Sequence, residues 1–153
     1  MIPIRSSLIP RWRSVFFIST GLAALLGVLA CGDDSTPRLS SSSIIRPIAN
    51  IDEYSRIVSS AGDQLLLIDL YADWCPPCRN LMPVLEEIAR ENRERVTVYK
   101  IDIDANQDLA RSFGVTGIPF VVLVKNQKTL HSLRGLRPKD HYLSAIDRFA
   151  EKL

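Results

Sequence analysis

The chain has 153 residues, 46% of them hydrophobic and 24% charged, a composition typical of one compact domain with short additional segments. Three cysteines are too few for a disulfide framework, and a domain of this size can be stabilised by its hydrophobic core. Three of the 19 basic residues lie in the first thirty positions, which leaves 16 basic against 17 acidic residues beyond them, so we expect no nucleic-acid partner.

The first thirty residues have the three parts of a secretory signal. The arginines Arg5, Arg11 and Arg13 precede an apolar run over 15–30, and small residues end this run in the sequence VLAC at 28–31. The apolar run has 16 residues, which is short for a membrane-spanning helix of about 20. We therefore predict a cleaved signal peptide over 1–30. The alternative is an uncleaved anchor whose arginines lie at the membrane interface.

Cys31 directly follows Val28, Leu29 and Ala30, and this tetrad resembles the bacterial lipobox. The resemblance implies that the Cys31 thiol receives a diacylglycerol and that Cys31 becomes the mature N-terminus, which anchors a protein durably. The alternative is ordinary cleavage near Cys31, since Val28 and Ala30 also suit the general signal peptidase. Gly32 stands where an Asp retains lipoproteins at the inner membrane of enteric bacteria, so the resemblance favours the outer membrane.

Residues 31–43 follow as a tether, Ser-rich and polar, with no apolar periodicity. Every interpretation of the leader places the domain over 44–153 outside the cytoplasm, where disulfides persist. We expect the protein at the periplasmic face of the cell envelope, held to the membrane by its lipid anchor. A protein that reduces disulfides there needs an electron source, and a membrane thiol reductase is the expected donor.

From residue 44 onward, strand and helix patterns alternate in the order βαβαβαββα, which predicts an α/β domain with a central mixed sheet and helices on both faces. Pro47 confines the first strand to an edge. The nearly continuous apolar run of the second strand is typical of a central strand covered on both faces. The predicted strands cover 43–48, 64–72, 96–104, 120–125 and 129–135, and the predicted helices cover 51–62, 76–93, 108–115 and 138–153.

Two features of these segments carry expectations about burial. In the first helix, Ile51, Tyr54, Ile57 and Val58 share one side, which predicts a buried face. In the second strand, Asp69 stands among apolar neighbours that predict burial on both faces. A buried carboxylate must be paired or must have a raised pKa. The alternative is that Asp69 lies at a strand end in contact with water.

Cys75 and Cys78 lie three positions apart in the sequence WCPPC. As zinc ligands they need further ligands, and the remaining candidates are Cys31, His131 and His141. The two histidines are expected on a strand and on a helix as solvated surface residues, so we predict no metal. A purely structural disulfide here closes a loop too short to restrain the unfolded chain. At the start of a helix, in contrast, such a pair suits redox chemistry, because the helix dipole stabilises a thiolate.

Pro76 and Pro77 separate the two cysteines and fit this helix start. In the first turn of a helix the missing N–H of proline costs no helical hydrogen bond. The two rings also stiffen the turn that spaces the sulfurs. We interpret them as an active-site spacer.

The chain from 44 to its C-terminus resembles a thioredoxin. The W-C-x-P-C active site and the other motif positions of that family are matched here by Trp74, Cys75, Pro77, Cys78, Asp69, Lys100, Pro83, Pro119 and Gly135. Only 44 positions separate Cys75 from Pro119, which leaves no room for the insertion that tryparedoxins, nucleoredoxins and cytochrome-c-maturation thioredoxins carry before their cis proline. The segment LIDLYADWC at 67–75 also resembles the periplasmic domain of membrane thiol:disulfide interchange reductases.

Three positions depart from the usual thioredoxin pattern. Pro76 replaces a glycine between the cysteines, Phe120 follows the cis proline where threonine is common, and Gln127 replaces a glycine in the hairpin turn. Phe120 makes the expected substrate groove more apolar. Pro76 affects the redox potential.

The resemblance implies a thioredoxin fold and a role for each matched residue. Cys75 attacks a substrate disulfide, and Cys78 then attacks Cys75 and releases the reduced substrate. Asp69 relays the Cys78 proton under the influence of Lys100. Trp74 shields the sulfurs, with core packing as the alternative, and the cis proline loop of Ile118 and Pro119 binds the substrate.

The predicted function is therefore an extracytoplasmic thiol:disulfide oxidoreductase. We expect a monomer without cofactor that reduces disulfides in protein substrates, because neither proline can donate an N–H to the thiolate. The alternatives are a disulfide oxidase or isomerase of the same fold, a non-catalytic binding module, and a metallochaperone.

Overall fold

The computed structural model describes residues 43–150. The predicted signal peptide, Cys31, nearly all of the tether and the last three residues lie outside that range. The elements in chain order are β1 (Arg46–Pro47), α1 (Ile51–Ser60), β2 (Leu65–Tyr71), α2 (Pro76–Glu91), β3 (Val96–Asp102), α3 (Gln107–Ser112), β4 (Phe120–Lys125), β5 (Lys128–Arg134) and α4 (Lys139–Ala150). This order confirms the predicted βαβαβαββα pattern.

The five strands form one mixed sheet in the order β1-β3-β2-β4-β5. β2 is central, pairing in parallel with β3 and antiparallel with β4, as its continuous apolar run predicted. β1 lies at an edge, as Pro47 predicted, but it has two residues where the pattern suggested six. Proline cannot donate to a ladder, which keeps this edge pairing short.

Helices cover both faces of the sheet, and the described residues form one large hydrophobic core on each face. On one face, β2 and β4 pack their alternate side chains, such as Leu67 and Leu123, against α2 and α4. On the other face, the intervening side chains, such as Ile68 and Val122, pack against α1 and α3. The two-residue period of the strands makes this division. β2 is therefore apolar along nearly its whole length because it contributes to both cores.

The start of α1 illustrates a local sequence signal and one wrong expectation. Asn50 caps the helix, since its Oδ1 accepts from Glu53 N at 2.9 Å while Glu53 Oε2 accepts from Ala49 N at 2.7 Å. Val58 is buried, as predicted, but Ile51 is 50% exposed, so the prediction that Ile51 joins the buried face is wrong. Ile51 is the first residue of the helix, and the apolar face begins one turn later.

The β4–β5 hairpin turns through Asn126 and Gln127, and both have positive φ angles, 51° and 62°. Two-residue hairpins favour this conformation because its twist matches that of the flanking strands. Asn adopts it readily, whereas Gln at this position bears a steric cost that the family's usual glycine avoids. Within the part of the chain that the structure describes, no helix is both long and apolar enough to cross a membrane.

Candidate active site

The cysteine pair lies where β2 ends and α2 begins. Cys75 is the N-cap of α2, and its Sγ accepts from Cys78 N at 3.2 Å. Pro76 and Pro77 occupy the first two helical positions, as the sequence predicted. Cys75 and Cys78 form a disulfide with a Cα–Cα distance of 5.3 Å. The two sulfurs therefore lie within bonding distance at the start of a helix of 16 residues, as the redox interpretation requires.

Both cysteines are almost completely covered, with 2% and 1% exposure for Cys75 and Cys78. They form a small apolar cluster with Ala72, and the half-buried side chains that pack against this cluster are Tyr71, Ile103 and Ile118. Ile103 was not among the residues predicted from the sequence. Its position just after β3, a parallel neighbour of β2, brings it to the same edge of the sheet as the cysteines.

Trp74 lies beside the cysteines on the surface, with 64% of its area exposed. Its indole Nε1 donates to Asp104 Oδ2 at 2.7 Å. The alternative that Trp74 packs in the core is therefore wrong, because the indole N–H finds a carboxylate acceptor beyond the end of β3. Asp104 is a second residue that the sequence reasoning missed.

Asp69 is completely buried in the second half of β2, and neither of its carboxyl oxygens has a hydrogen-bond partner in the described residues. Burial raises the pKa of Asp69 to about 7, while the positive charge of Lys100 acts in the opposite direction. The alternative that Asp69 lies at a wet strand end is wrong. Asp69 is a carboxyl group that changes protonation near neutral pH.

Lys100 is the register partner of Asp69 across the parallel β2–β3 pair, as the resemblance implied. Its Nζ lies 5.2 Å from the ring centroid of Tyr71, a cation–π contact. Lys100 and Cys78 both line a groove of about 430 Å³ that also includes Met82 and Glu86. Cys78 and the charge that acts on Asp69 therefore lie along the wall of one surface groove.

The Ile118–Pro119 peptide bond is cis, as the resemblance implied. Ile118 packs against the cysteine cluster, and Pro119 O accepts from Gly135 N at 2.8 Å. Gly135 has a φ of +74°, a conformation that glycine adopts without strain. Pro119 therefore has no backbone N–H to donate, and its carbonyl already accepts one hydrogen bond.

The two histidines, expected apart, line one groove between β5 and α4. His131 is half-buried, and its ring lies 5.8 Å from that of Phe149. His141 is exposed, as expected of a solvated surface residue. Within residues 43–150, no three His, Cys, Asp or Glu side chains come together closely enough to hold a metal ion. The packing of α4 against β5 explains why residues ten positions apart line the same groove.

Comparisons with known proteins agree with this geometry. A family model described as Thioredoxin matches residues 47–148. The Thioredoxin of Chlamydia muridarum is 39% identical over 101 residues, which cover 66% of this chain and 98% of that protein. The Thioredoxin-T of Drosophila melanogaster is 36% identical over 92 residues, which cover 60% of this chain and 59%, less than two thirds, of that protein.

Solved structures give the same result for the fold. A mutant thioredoxin from Halobacterium salinarum superposes with a TM-score of 0.65 at 34% identity, covering 74% of this chain and 98% of that one. The thioredoxin of Fasciola hepatica has a TM-score of 0.65 at 30% identity and covers 69% of this chain and 99% of that one. The predicted fold, a mixed sheet with helices on both faces, is confirmed.

Proposed function

The chain belongs to the thioredoxin family of thiol:disulfide oxidoreductases, and from that premise we propose that it is an extracytoplasmic, membrane-anchored reductase of protein disulfides. The observation that carries the proposal is the covered Cys75–Cys78 pair at the start of α2, with the buried Asp69 in the strand before it and the cis Pro119 loop against it. These parts together perform a two-step exchange.

Cys75 is the proposed nucleophile of the first step. In the reduced protein its thiolate sits at the N-cap of α2, where the helix dipole and the Cys78 N–H stabilise negative charge. The thiolate attacks one sulfur of the substrate disulfide. A mixed disulfide between Cys75 and the substrate forms, and the other substrate sulfur leaves as a thiolate that takes up a proton.

Cys78 is the proposed resolving residue of the second step. Its thiol loses a proton and attacks Cys75, which forms the Cys75–Cys78 disulfide and releases the second substrate sulfur as a thiol. Two electrons pass from the protein to the substrate. We assign the proton to Asp69, whose pKa of about 7 suits a group that both accepts and returns a proton near neutral pH.

Lys100 tunes this proton site in the proposed mechanism. Its positive charge lowers the pKa that burial raises, and the groove that it lines with Cys78 provides the exit to solvent. Replacing Asp69 by Asn removes the proton acceptor while it keeps the shape. We expect the rate of disulfide reduction at neutral pH to fall by about tenfold or more in Asp69→Asn, with loss of the pH dependence near pH 7. An unchanged pH–rate profile would contradict this assignment.

Substrate contacts are proposed at the cis proline loop and at Trp74. The Ile118 backbone pairs with an extended substrate segment, and the ring of Pro119 fixes the approach of that segment to Cys75. The exposed face of Trp74 gives the segment an apolar surface on the other side of the sulfurs.

Reduction is the proposed direction of electron flow. The Cys75 sulfur accepts one backbone N–H from Cys78, and Pro76 and Pro77 have none to offer. A less stabilised thiolate makes the dithiol a better reductant. Equilibration with glutathione should give a potential near that of thioredoxin, about −270 mV, and one near that of the strong oxidants, about −120 mV, would overturn this direction.

Two cysteine variants test the mechanism and identify partners. Cys75→Ser should abolish reduction of the disulfides in insulin, and activity retained by that variant would refute the mechanism in favour of another. Cys78→Ser leaves the nucleophile but not the resolving thiol. It should accumulate mixed disulfides with the natural substrates, which can then be isolated and identified.

Location is proposed from the leader alone. The arginines, the apolar run over 15–30 and Cys31 after VLA support a lipid anchor at the periplasmic face of the envelope, with the outer membrane favoured. A membrane thiol reductase would then supply electrons. Metabolic labelling with palmitate should mark the wild-type protein and not Cys31→Ser. Equal labelling of the two would refute lipidation at Cys31.

A further inference from the structure

The strand ends beside the cysteines determine where the charged residues around the cysteines lie. The carboxyl ends of β3, β2 and β5 and the amino end of β4 meet at this edge, since β4 alone runs in the opposite direction to its neighbours. Across the edge, the residues after β3 come first, then the cysteines after β2, then Pro119 before β4, then Gly135 after β5. Strands are spaced by about 4.8 Å, so this row spans roughly 14 Å.

One end of the row is basic. Arg134 and Arg137 flank Gly135 and the 45% exposed Leu136, and we call Arg134, Leu136 and Arg137 the basic rim. Both arginines are exposed, and within residues 43–150 neither forms an ion pair with a carboxylate. The basic rim therefore presents two cations and an apolar side chain to solvent.

The basic rim is held in place by contacts with the site. The Arg134 guanidinium lies 5.9 Å from the ring centroid of Phe120, which directly follows the cis proline. Arg137 Nε donates to Arg134 O at 3.1 Å, and Arg137 N donates to the hydroxyl of the buried Tyr142 at 3.1 Å. With the Gly135–Pro119 hydrogen bond, these contacts fix both cations beside the loop against which the cysteines pack.

The other end of the row is acidic. Asp102 and Asp104 lie at and after the end of β3, and Asp73 precedes Trp74; we call these three residues the acidic rim. Asp104 accepts from the Trp74 indole, and Asp102 Oδ1 accepts from Asp104 N at 2.9 Å. Two cations lie close to the acidic rim in sequence. Lys100, two positions before Asp102, has its Nζ 5.2 Å from the ring centroid of Tyr71, and the Arg79 guanidinium donates to the backbone oxygen of Asp73 rather than to a carboxylate of the acidic rim.

We propose that the protein selects disulfide substrates whose attacked cysteine is followed on one flank by acidic residues, which dock on the basic rim. An extended segment that pairs with Ile118 passes between the two rims. Its binding is strengthened when its carboxylates lie over Arg134 and Arg137. The acidic rim repels the same flank in the reversed orientation, so the two rims together set the direction of the segment. This inference rests on the proposed disulfide reduction and names the class of substrate.

Peptide substrates of one length test the proposal on the full chain. Four disulfide-bonded peptides would carry two acidic residues on the N-terminal flank, two on the C-terminal flank, neutral residues, or two lysines. Single-turnover rate constants with prereduced protein should rank one acidic peptide about tenfold above the neutral one. The other acidic peptide, whose carboxylates would face the acidic rim, and the lysine peptide, when its lysines face the basic rim, should rank below the neutral one. The preference should shrink as the salt concentration rises, because exposed charges are screened.

Charge reversal and a matched control locate the effect. Arg134→Glu with Arg137→Glu should reverse the ranking, and the pair Arg134→Gln with Arg137→Gln should abolish the preference without reversing it. The control pair, Arg90→Glu with Arg93→Glu, makes the same change in net charge at the far end of α2. The 16 residues of this helix put that end roughly 24 Å from the cysteines. The control should keep the wild-type ranking.

The outcomes separate this inference from the function on which it rests. Rates within twofold across the four peptides, or equal changes in both charge-reversed pairs, would overturn the proposal. A small uncharged disulfide, oxidised 2-mercaptoethanol, reports the exchange chemistry alone and should be reduced equally by all variants. Failure of the wild-type protein to reduce that compound would overturn the proposed function and this inference with it. Normal reduction of it with equal peptide rates would overturn the inference alone.

Discussion

Asp69 and Lys125 are charged residues buried under the same helices at opposite ends of the sheet. Asp69 lies in β2 and is 0% exposed, and Lys125 lies in β4 and is 7% exposed. The alternation of each strand places both on the face that α2 and α4 cover, because Leu67 and Leu123 belong to that core. The antiparallel register puts Lys125 near the start of β2 and Asp69 near the end that leads to the cysteines.

The two residues differ in their partners. Lys125 Nζ donates to the carbonyl oxygens of Phe149 and Ala150, each at 3.3 Å, and so satisfies the end of α4. The carboxyl oxygens of Asp69 have no such partner in the described residues. A buried charge is tolerated where hydrogen bonds compensate its loss of hydration, whereas burial without partners destabilises the ionised form of a carboxyl group. The comparison supports a structural role for Lys125 and the proposed proton-transfer role for Asp69, whose burial has a cost in stability.

The largest expected effect is a gain in stability when Asp69 is replaced by Leu. The folded pKa of about 7 lies above the ordinary value of 3.8, so the free energy of unfolding should fall as pH rises from about 4 to 7 and stay constant above. A shift of that size corresponds to about 4 kcal/mol. Asp69→Leu should therefore be more stable than wild type by up to that amount above pH 7, measured by urea unfolding.

The pH dependence of this gain distinguishes titration from simple packing. The difference between Asp69→Leu and wild type should shrink toward acid pH, because protonated Asp69 carries no charge to desolvate. Asp73→Asn, which removes an exposed carboxylate four residues away, should retain the wild-type slope. An equal gain in stability at pH 4 and pH 8 would contradict this explanation, since the effect of Asp69 would then come from its shape and not from its charge.

Replacement of Lys125 by Met should have the opposite sign and a smaller size. Removing the ammonium leaves carbonyls at the end of α4 without a donor, which costs about 2 kcal/mol and lowers Tm by roughly 10 °C. The rate of disulfide reduction and its pH dependence should stay as in wild type. Lys128→Met, at an exposed position in the same hairpin, is the control and should leave Tm nearly unchanged.

The pH–rate profile tests whether Lys125 has only a structural role. If Lys125→Met moved the midpoint of that profile, the residue would act on the proposed proton transfer by Asp69, and the contrast between the two residues would be lost. Measurements at 25 °C compare folded proteins, because the expected loss of stability is a fraction of a domain's usual stability of about 5–15 kcal/mol.

The fold and the cysteine pair could be predicted because their signals are local. The run of β2 predicted a central strand, and a Cys pair with prolines at a helix start predicted a redox site. The prediction that Ile51 is buried was wrong because periodicity indicates which side of a helix is apolar and not where along the helix the core begins. The burial of Asp69 followed from its immediate neighbours, and those same neighbours explain its raised pKa.

The remainder of the site depended on residues distant in the chain. Trp74 is bonded to Asp104 thirty positions away, and Gly135 is bonded to Pro119 across the sheet edge. Asp104 has no pattern of its own in the sequence, whereas Pro119 and Gly135 were identified only through the family resemblance. The acidic residues of DID at 102–104 end a predicted strand, and the parallel pairing of that strand with β2 was the signal that could have placed them beside the cysteines.

The smallest expected effect comes from replacing Lys100, a half-buried cation whose charge acts on the buried carboxyl of Asp69. Lys100 is in register with Asp69, and its charge lowers the pKa of that carboxyl. Lys100→Met keeps the length of the side chain and removes the charge. The pKa of Asp69 should rise further, by on the order of half a pH unit, because the attraction acts through a partly solvated environment. The falling limb of the stability curve and the midpoint of the pH–rate profile should both move to higher pH by that amount, while Lys128→Met moves neither. A shift toward lower pH, or a stability curve that moves without the rate profile, would mean that Lys100 does not act on the proton that Asp69 exchanges with Cys78.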